Sequence, residues 1–415
     1  MRKLLLAALA ITALSASTAF AQTPPVDLPV PAAATTNFSA KETGSFGIQS
    51  EWGNERFYYE GEQWFVYLTG DGRRAVCESH PRRENDGGIL ADGETVWCGS
   101  SVYSTASGKC LCFLPNLRAL SLAEDGSGVF LYQYGGYNYY DSDSGRHSYR
   151  KHKFTQTDKA SGKTKEIELN KPTLLSVEMD TGYVTKTAPV KTSIDYSANN
   201  KKASLGGSML AVVSGSQDDR RNEIHVLSTD SCSEVSVWRD VEGFTDCCVS
   251  PDGALVAACS PDHLVKIWDV KTNKVVSSMD AHETADVVQV LFSPDGKRLA
   301  STDKQGKLII WNVATWKPEI TIAANAANGA FVNHVTFTPD GKLLAMAQEN
   351  TDSVTIWNAQ SGEKVGVIPC SDKANESVKS VGFSKDTKTM AAIARGRYGS
   401  DSTLGYKLYV WKISY

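Results

Sequence analysis

The chain has 415 residues, with 43 Lys and Arg against 47 Asp and Glu, and 41% of its residues are apolar. This balance excludes a disordered polyelectrolyte and a protein that binds nucleic acid through bulk positive charge. The length is sufficient for several hydrophobic cores or for one large modular core.

The N-terminal segment has the pattern of a secretory signal. A basic start precedes an apolar run over about residues 4–16, and small residues up to Ala21 fit a cleavage site. The run is shorter than the roughly 20 apolar residues that span a bilayer. We therefore expect residues 1–21 to be a signal peptide cleaved after Ala21, and an exported protein, periplasmic or secreted, without a membrane span. Residues 22–40 are rich in Pro, Ala and Thr and predict a flexible linker.

A repeated phrase organises the second half of the chain. It consists of an apolar residue followed by Ser or Thr, Pro, Asp and Gly. Its copies are Val249–Gly253, Phe292–Gly296 and Phe337–Gly341, with a degraded copy at Phe383–Asp386. Pro presets φ for a tight turn and Gly accepts a positive φ, so each copy predicts a strand, a turn and a second strand.

A third strand in each of these repeats ends on Trp, at Trp268, Trp311, Trp357 and Trp411. A polar turn and a fourth short strand follow the first three of these residues. Four strands in about 40 to 45 residues match one blade of a β-propeller. The Ser-Pro-Asp-Gly turn and the strand-ending Ile-Trp-Asp resemble the WD-repeat β-propeller family, clearly over residues 241–415 and faintly before them.

The resemblance implies an all-β fold, a β-propeller of seven blades. We expect the blades at residues 61–115, 116–190, 191–240, 241–283, 284–328, 329–372 and 373–415. The resemblance also implies a hydrogen-bonded set of Asp, His, Ser and Trp in a blade, which we expect to be incomplete in every copy. Over residues 281–311, His282, Ser301 and Trp311 are present, but Gln305 stands where the Asp would fall.

The seventh repeat lacks a fourth strand after Trp411. The alternating segment over residues 45–59 precedes the first blade and has no blade of its own. We expect this N-terminal strand to complete the last blade, because closing the ring removes two exposed sheet edges.

Long loops distinguish one part of the ring. In a propeller the loops between the second and third strands of every blade lie on one face, together with the connections between blades. These loops are long in blades 7, 1, 2 and 3, at Arg395–Gly405, His80–Glu94, Gly135–Pro172 and Gly215–Asn222. Since these four blades are consecutive round the ring, we expect the loops to form one raised arc.

The arc is rich in Arg and Tyr. The candidate binding residues are Arg82, Arg83, Tyr137, Tyr139, Tyr140, Arg146, Arg150, Arg220, Arg221, Arg395, Arg397 and Tyr398. Arg offers a planar donor fork and Tyr offers rigid area with a polar tip, and both are enriched where proteins bind partners. The alternative is that the blade-2 insertion is only an extra hairpin, with residues 147–157 pairing with 163–169 and its charges solvated.

The favoured hypothesis is a platform that binds a protein or peptide partner without a cofactor. Positive and negative charges nearly balance in the arc, which argues against nucleic acid as the partner. The alternative is a propeller enzyme, lactonase-like or another metal-assisted hydrolase, with its site at the mouth of the central channel. The hydrolase, zinc-protease and phosphate-loop motifs are absent from the sequence, so we assign no catalytic or metal-binding residue.

Overall fold

The computed structural model describes residues 38–415 except for 48–50, 53–54, 57–61, 81–87, 90–94, 97–98, 116, 123–126, 133–138, 142–145, 149–151, 158–161, 163, 170–172, 190–202, 216–221, 241–242, 281, 283–284, 324–331, 349–350, 371–376 and 398–403. Within these residues all regular structure is β-strand. None of them belongs to a helix that is long and apolar enough to cross a membrane.

The described residues form 36 strands. Up to the end of blade 1 these are β1 (Ser39–Gly47), β2 (Glu51–Trp52), β3 (Glu55–Arg56), β4 (Glu62–Leu68), β5 (Arg74–His80), β6 (Gly88–Ile89), β7 (Thr95–Val96), β8 (Gly99–Ser104) and β9 (Cys110–Pro115). Blades 2 and 3 contain β10 (Leu117–Leu122), β11 (Ser127–Tyr132), β12 (Tyr139–Asp141), β13 (Arg146–Ser148), β14 (His152–Thr157), β15 (Thr164–Leu169), β16 (Thr173–Glu178), β17 (Tyr183–Pro189), β18 (Ala203–Gly206), β19 (Met209–Gly215), β20 (Asn222–Ser228) and β21 (Ser233–Arg239). Blades 4 and 5 contain β22 (Asp246–Val249), β23 (Leu255–Cys259), β24 (Leu264–Asp269), β25 (Lys274–Asp280), β26 (Val287–Phe292), β27 (Arg298–Asp303), β28 (Lys307–Asn312) and β29 (Lys317–Ala323). The remaining strands are β30 (Val332–Phe337), β31 (Leu343–Gln348), β32 (Ser353–Asn358), β33 (Lys364–Pro369), β34 (Ser377–Phe383), β35 (Thr389–Arg397) and β36 (Leu404–Ser414).

Seven four-stranded antiparallel sheets within the described residues form the blades. From the inner to the outer strand they are β4-β5-β8-β9, β10-β11-β16-β17, β18-β19-β20-β21, β22-β23-β24-β25, β26-β27-β28-β29, β30-β31-β32-β33 and β34-β35-β36-β1. The inner strands of neighbouring blades contact each other all round the ring, including those of blades 7 and 1. The all-β seven-bladed propeller predicted from the sequence is therefore confirmed.

The turn between β26 and β27 shows why the repeated phrase folds as it does. Gly296 has a φ of 70°, and its N–H donates to the carbonyl of Ser293 at 2.9 Å. The Ser293 hydroxyl donates to Asp295 at 2.6 Å, and Asp295 accepts the main-chain N–H of Lys297 at 3.0 Å. The same bond, from a Ser or Thr hydroxyl to the carboxylate two residues later, occurs in four other turns, with Asp71, Asp252, Asp340 and Asp386 as acceptors. Side-chain bonds thus reinforce the backbone geometry that Gly permits.

The hydrophobic core lies between the blades rather than inside any one of them. Leu308 and Ile310 of β28 pack in a cluster with blade-6 residues, whereas Ile309 and Trp311 pack in a cluster with blade-4 residues. All four are at most 3% exposed. Burial of one such side chain stabilises the fold by about 1.5–3 kcal/mol. Each blade therefore depends on both of its neighbours, which favours a closed ring.

The N-terminal strand closes blade 7, but with different residues from those expected. β1 pairs with β36 from Ser39 opposite Ser414 to Gly47 opposite Lys407. It begins inside the predicted linker and ends before most of the segment 45–59. Because β1 is outermost and mostly exposed, its residues need not alternate between apolar and polar, so the alternation that we used does not mark this strand.

A bulge in β1 places it among the other outer strands. The outer strand of each of the seven described sheets shifts register by one residue, and the extra residues are Leu111, Thr185, Val235, Val276, Glu319, Val365 and, in β1, Thr43. In blades 4 to 7 the shift falls beside the Trp of the third strand. Bulges twist an exposed edge and hinder pairing with other chains. β1 therefore has the geometry of a regular fourth strand.

Blade 5 contains the complete hydrogen-bonded set. The His282 ring lies between Asp303, 2.9 Å from Nδ1, and Ser301, 2.8 Å from Nε2. The Trp311 indole N–H donates to Ser301 at 2.8 Å. The expectation of an incomplete set is wrong for this blade, because Asp303 at the end of β27 supplies the carboxylate. Gln305 lies in the following turn, where its main-chain N–H donates to Asp303 at 2.9 Å.

Candidate functional site

One face of the propeller, which we call the upper face, contains the connections between second and third strands and those from blade to blade. The antiparallel strand order places all of them at the same end of the strands. The second-to-third connections are residues 81–98, 133–172, 216–221, 260–263, 304–306, 349–352 and 398–403 in blades 1 to 7. The predicted arc is therefore markedly long only over blades 1 and 2.

Five of the twelve predicted binding residues have a described backbone. They are Tyr139 and Tyr140 in β12, Arg146 in β13, and Arg395 and Arg397 in β35. The other seven, Arg82, Arg83, Tyr137, Arg150, Arg220, Arg221 and Tyr398, lie outside the described residues. The arc thus remains a prediction for most of its side chains.

In blade 7 both predicted Arg residues belong to a blade strand. We expected Arg395 and Arg397 in a loop over 395–405, but β35 continues through both of them because it pairs with β36 as far as Arg397 opposite Leu404. Arg395 is half-buried. Its place is therefore fixed by the sheet and not by a flexible loop.

The blade-2 insertion contains two hairpins. In the first, Tyr140 is opposite His147 and Asp141 is opposite Arg146. In the second, β14 pairs with β15. This pairing lies within the hairpin of residues 147–157 and 163–169 that was the alternative to a binding arc, although His147 belongs to the first hairpin. Ile167 and Leu169 of β15 are 5% and 3% exposed and pack in the cluster between blades 1 and 2. The second hairpin is thus anchored on the ring.

A connection that sequence reasoning assigned to a strand also lies on the upper face. Because β1 ends at Gly47 and β4 begins at Glu62, residues 48–61 connect blade 7 to blade 1. Their described part is the short hairpin β2–β3, in which Glu51 is opposite Arg56. The hairpin β2–β3 therefore belongs to the connection from blade 7 to blade 1 on the upper face.

The upper ends of blades 3 and 4 are joined by an ion triad. Lys266 donates to Asp240 and, at 2.9 Å, to Asp262. The Lys266 and Asp262 side chains are 17% and 24% exposed. Burial alone would raise the pKa of Asp262, but hydrogen bonds from Ser260, Lys266 and the N–H of Leu264 hold that pKa below its usual range. The triad fixes the entry of the chain into blade 4.

Along the channel wall, polar side chains of one blade's inner strand form hydrogen bonds with backbone groups of the next blade's inner strand. Asp246 accepts the N–H of Val290 at 2.9 Å. The amide of Gln289 accepts the N–H of Val335 at 2.8 Å and donates to its carbonyl at 2.9 Å. These bonds satisfy backbone groups that face the channel, where no further strand pairs. In the described part of the chain, no three His, Cys, Asp or Glu side chains are grouped so as to hold a metal ion.

The described cysteines are free thiols. Burial raises the pKa of Cys110 to about 11 and, with a smaller effect of Cys110 and Asp180, that of Cys112 to about 12. Since the thiolate is the reactive form, these residues are poor nucleophiles at neutral pH. They act as small apolar residues of the core.

Several proteins are similar to part of this chain. Transcription initiation factor TFIID subunit 5 of Caenorhabditis elegans is 30% identical over 128 residues, which cover 30% of this chain and 19% of that protein. The WD repeat-containing protein SL1-17 of Schistosoma mansoni is 29% identical over 144 residues, 35% of this chain and 45% of that protein. The small ribosomal subunit protein RACK1y of Oryza sativa subsp. japonica is 30% identical over 112 residues, 27% of this chain and 31% of that protein. The chain thus spans less than half the length of each of these relatives.

A family model covers just over half of the chain. It describes the β-propeller of the nucleolar protein 10-like N-terminal domain, and it matches residues 181–393. The matched range includes blades 3 to 6 and the start of blade 7. Together with the seven sheets and the WD-repeat turns, this match means that the chain belongs to the WD-repeat β-propeller family, with nucleolar protein 10-like N-terminal domains as its matching family.

Proposed function

We propose that this propeller is an exported platform that binds a protein or peptide partner through the arc on its upper face. The observation that carries the proposal is the position of the long connections of blades 1 and 2 and of residues 48–61, all on one face. Blades 4 to 6 form with short connections, so long ones are not needed to build a blade. Extended connections on a rigid scaffold are a common place for binding residues.

The names of two relatives support a role in assemblies. One relative is by name a subunit of a transcription initiation factor, and another is by name a protein of the small ribosomal subunit. Propeller blades similar to these can thus form part of larger complexes. For this chain a partner-binding role is the corresponding proposal, and the arc is its proposed surface.

Partner capture with matched variants tests the platform. The purified mature protein would serve as bait in the envelope fraction of its own cells. One variant changes the arc in the long blade-1 connection (Arg82→Gln with Arg83→Gln), and a control changes two exposed lysines beside turns on the opposite, lower face (Lys342→Gln with Lys364→Gln). We expect the arc variant to reduce capture about tenfold, as for loss of charged interface contacts, and the control to leave it unchanged. Equal capture by all three proteins would contradict the proposal.

Export is a separate part of the proposal. It rests on the basic start and apolar run before Ala21, whereas the matching family is named after a nucleolar protein. N-terminal sequencing of the protein from fractionated cells distinguishes an exported protein from one that stays inside the cell. We expect the mature chain to begin at Gln22 and to lie outside the cytoplasmic fraction. A chain that retains Met1 inside the cell would remove export and leave the platform to be tested independently.

A further inference from the structure

The outer edge of blade 4 has an exposed apolar surface. Val275 and Val276 of β25 are 53% and 46% exposed, and Val235 of β21 in the adjacent blade 3 is 46% exposed. Among the described residues, Val367 of blade 6 is the one other large apolar side chain that is exposed to this extent. A group of exposed apolar side chains, in contrast to a single one, is typical of an interaction site.

Val235 and Val275 lie at the same groove, between blades 3 and 4. Val275 is opposite Trp268, whose indole packs in the cluster shared by these two blades. Since paired residues share a face of the sheet, Val275 is directed toward blade 3. β21 lies beside the start of β25, because Trp238 donates a hydrogen bond to Asn273 and stacks on Trp268 with 5.1 Å between the ring centroids.

The bulges direct their extra residues toward the following blade. Leu111 and Val365, the extra residues of blades 1 and 6, pack against the clusters that those blades share with blades 2 and 7. By the same geometry Val235 is directed into the groove with blade 4, and Val276 into the groove with blade 5. Exposed valines thus lie on both sides of β25.

Trp316 borders this surface on the side of blade 5. It lies in the turn between β28 and β29 with a φ of 54°, which is rare for a bulky residue. At the equivalent residue of blade 6, Gly362, a Cβ atom would lie 2.6 Å from Ile320 Cγ2 of the preceding blade. Ser277 takes the place of Ile320 in blade 4. Its small side chain leaves room for the half-buried Trp316 ring, which packs against the cluster shared by blades 4 and 5.

Two lysines form a basic border to the apolar surface. Lys274 of β25 and Lys317 of β29 occupy equivalent places in blades 4 and 5. Both are exposed, and in the described part of the chain neither belongs to an ion pair. The nearby carboxylates of Glu234, Asp269 and Glu319 are bonded within their own blades. The two ammonium groups are therefore available to a partner.

The blade-4 patch, as we call this surface, consists of Val235, Val275, Val276, Trp316, Lys274 and Lys317. We propose that it binds an extended segment of a partner protein whose apolar side chains are flanked by Asp or Glu. The valines and the indole can bury the apolar side chains, and the lysines complement the carboxylates. The inference goes beyond the platform on the upper face, because the patch lies on the circumference of the ring and shares no residue with the arc.

Peptide selection with a depletion step tests the patch. Phage-displayed random dodecapeptides are first depleted on the variant Val275→Glu with Val276→Glu, which removes phage that bind elsewhere, and are then selected on the mature wild-type protein. We expect the enriched peptides to combine aliphatic or aromatic residues with Asp or Glu. If no peptide is enriched after depletion, or if the enriched peptides lack acidic residues, the proposal is overturned and the upper-face platform is unaffected.

Fluorescence anisotropy with one selected peptide then measures its affinity. We expect Val275→Glu with Val276→Glu to weaken binding at least about tenfold, and Lys274→Gln with Lys317→Gln to weaken it about fivefold at near-physiological salt. The matched control Val367→Glu adds the same charge at an exposed Val of blade 6 and should bind as the wild type does. A lysine variant with unchanged affinity would contradict the charge complementarity on which the choice of partner rests.

The arc variant used for partner capture separates the patch from the platform. It should bind the selected peptide as the wild type does, and a loss of binding would assign the peptide to the arc and overturn the patch. Sedimentation velocity tests the other occupant, a second copy of the chain. A wild type that dimerises, with a Val275→Glu and Val276→Glu variant that stays monomeric, would assign the valines to self-association instead.

Thermal midpoints show whether each variant remains folded. Both valines are exposed, so we expect the midpoints of the variants to equal that of the wild type. If the two glutamates lower the midpoint, Val275→Thr with Val276→Thr takes their place, because Thr keeps the β-branched shape while replacing a methyl group by a hydroxyl. This variant should bind the peptide more weakly than the wild type, and equal binding would overturn the patch.

Discussion

Blades 5 and 6 have the same turn phrase and the same strand pairing, yet they fill one buried position differently. In blade 5 Ser301 bonds to His282 and to Trp311. In blade 6 the equivalent residue is Met346, which is 1% exposed, and the indole N–H of Trp357 is buried without a hydrogen-bond partner. Both blades nevertheless form the same four-stranded sheet. The hydrogen-bonded set is therefore not required to build a blade.

Trp311 and Asp303, the first and last members of the hydrogen-bonded set in blade 5, determine which group donates in each of its bonds. The Trp311 indole N–H can only donate and the Asp303 carboxylate can only accept. With a neutral His282 every donor then finds an acceptor, since the Ser301 hydroxyl donates to Nε2 and Nδ1–H donates to Asp303. The His282 and Asp303 side chains are 0% and 2% exposed. A buried set that is fully satisfied is costly to break at any member.

The largest expected effect comes from removing the carboxylate of blade 5. Asp303→Ala leaves the Nδ1 atom of buried His282 without its partner and also removes the bonds to the N–H groups of Gln305 and Lys307. We expect a loss of about 3 kcal/mol or more in the free energy of unfolding, because three hydrogen bonds to an ionised carboxylate are lost and the buried Nδ1–H of His282 is left unpaired. Urea unfolding followed by far-UV circular dichroism measures this loss.

A second Asp of the same blade supplies the control. Asp295 accepts two bonds in the exposed turn of blade 5, so Asp295→Ala should cost only about 1 kcal/mol. Similar losses for Asp303→Ala and Asp295→Ala would mean that the buried set is worth no more than a surface turn. The hydrogen-bonded set that distinguishes blade 5 from blade 6 would then make no special contribution to the free energy of unfolding.

Blade 4 shows a third arrangement, in which Ala258 and Ser260 occupy the places of Ser301 and Asp303, and the ion triad around Lys266 fixes the upper end. We expect Lys266→Met to cost about 1–2 kcal/mol at pH 7, a value reduced by the partial exposure of the triad. Urea midpoints of the wild type and the variant measure this cost.

The cost of Lys266→Met should depend on pH. Because the pKa of Asp262 is lowered in the fold, the stability that it contributes is present above its unfolded-state value of about 4 and is lost as the pH falls through the folded-state value. The difference between wild type and variant should therefore shrink below about pH 4. A difference that stays constant down to pH 3 would show that the triad acts through packing alone.

Turn chemistry explains why the blades could be predicted and β1 could not. The repeated phrase needs Gly at positive φ and the strand-ending Trp needs a buried face, so both recur with the blade. Among the described side chains of β1, Ala40 is the one that packs against a core cluster, after Phe38 just before the strand, and residues 39–45 show no apolar alternation. The alternating segment 45–59 contains Gly53-Asn54, a pair typical of two-residue hairpins. That pair was the available signal for β2–β3.

Register explains the errors at individual positions. The family pattern placed the blade-5 carboxylate at Gln305, but Asp303 is the residue opposite Val287 at the end of β27, which spacing alone does not reveal. Arg395 and Arg397 were assigned to the loop of blade 7, although the pairing of β35 with β36 continues to Arg397. The sequence shows which residues the arc contains. Where each of them lies depends on how the strands pair, and the sequence alone does not give that register.

A pair of Trp substitutions sharpens the comparison of blades 5 and 6. Trp311→Phe and Trp357→Phe remove the same atoms, but only Trp311 donates a hydrogen bond, while the Trp357 indole N–H is buried without a partner. We therefore expect Trp311→Phe to cost about 1–1.5 kcal/mol more than Trp357→Phe. Urea midpoints followed by circular dichroism give the difference. A larger cost for Trp357→Phe would show that packing, and not the hydrogen bond, separates the two blades.

The smallest expected effect comes from giving blade 6 the hydroxyl that it lacks. Met346→Ala and Met346→Ser both leave a cavity, but the Ser hydroxyl can accept the Trp357 N–H as Ser301 does for Trp311 in blade 5. Met346→Ser should therefore be about 0.5–1 kcal/mol more stable than Met346→Ala. At Ile356, which is 0% exposed on the opposite face of the sheet, Ser should instead be less stable than Ala, because a buried hydroxyl without a partner is costly. If Ser is no better than Ala at position 346, the Trp357 indole has adapted to apolar packing, and a blade of this family gains its polar set only when His, Asp and Ser are present together.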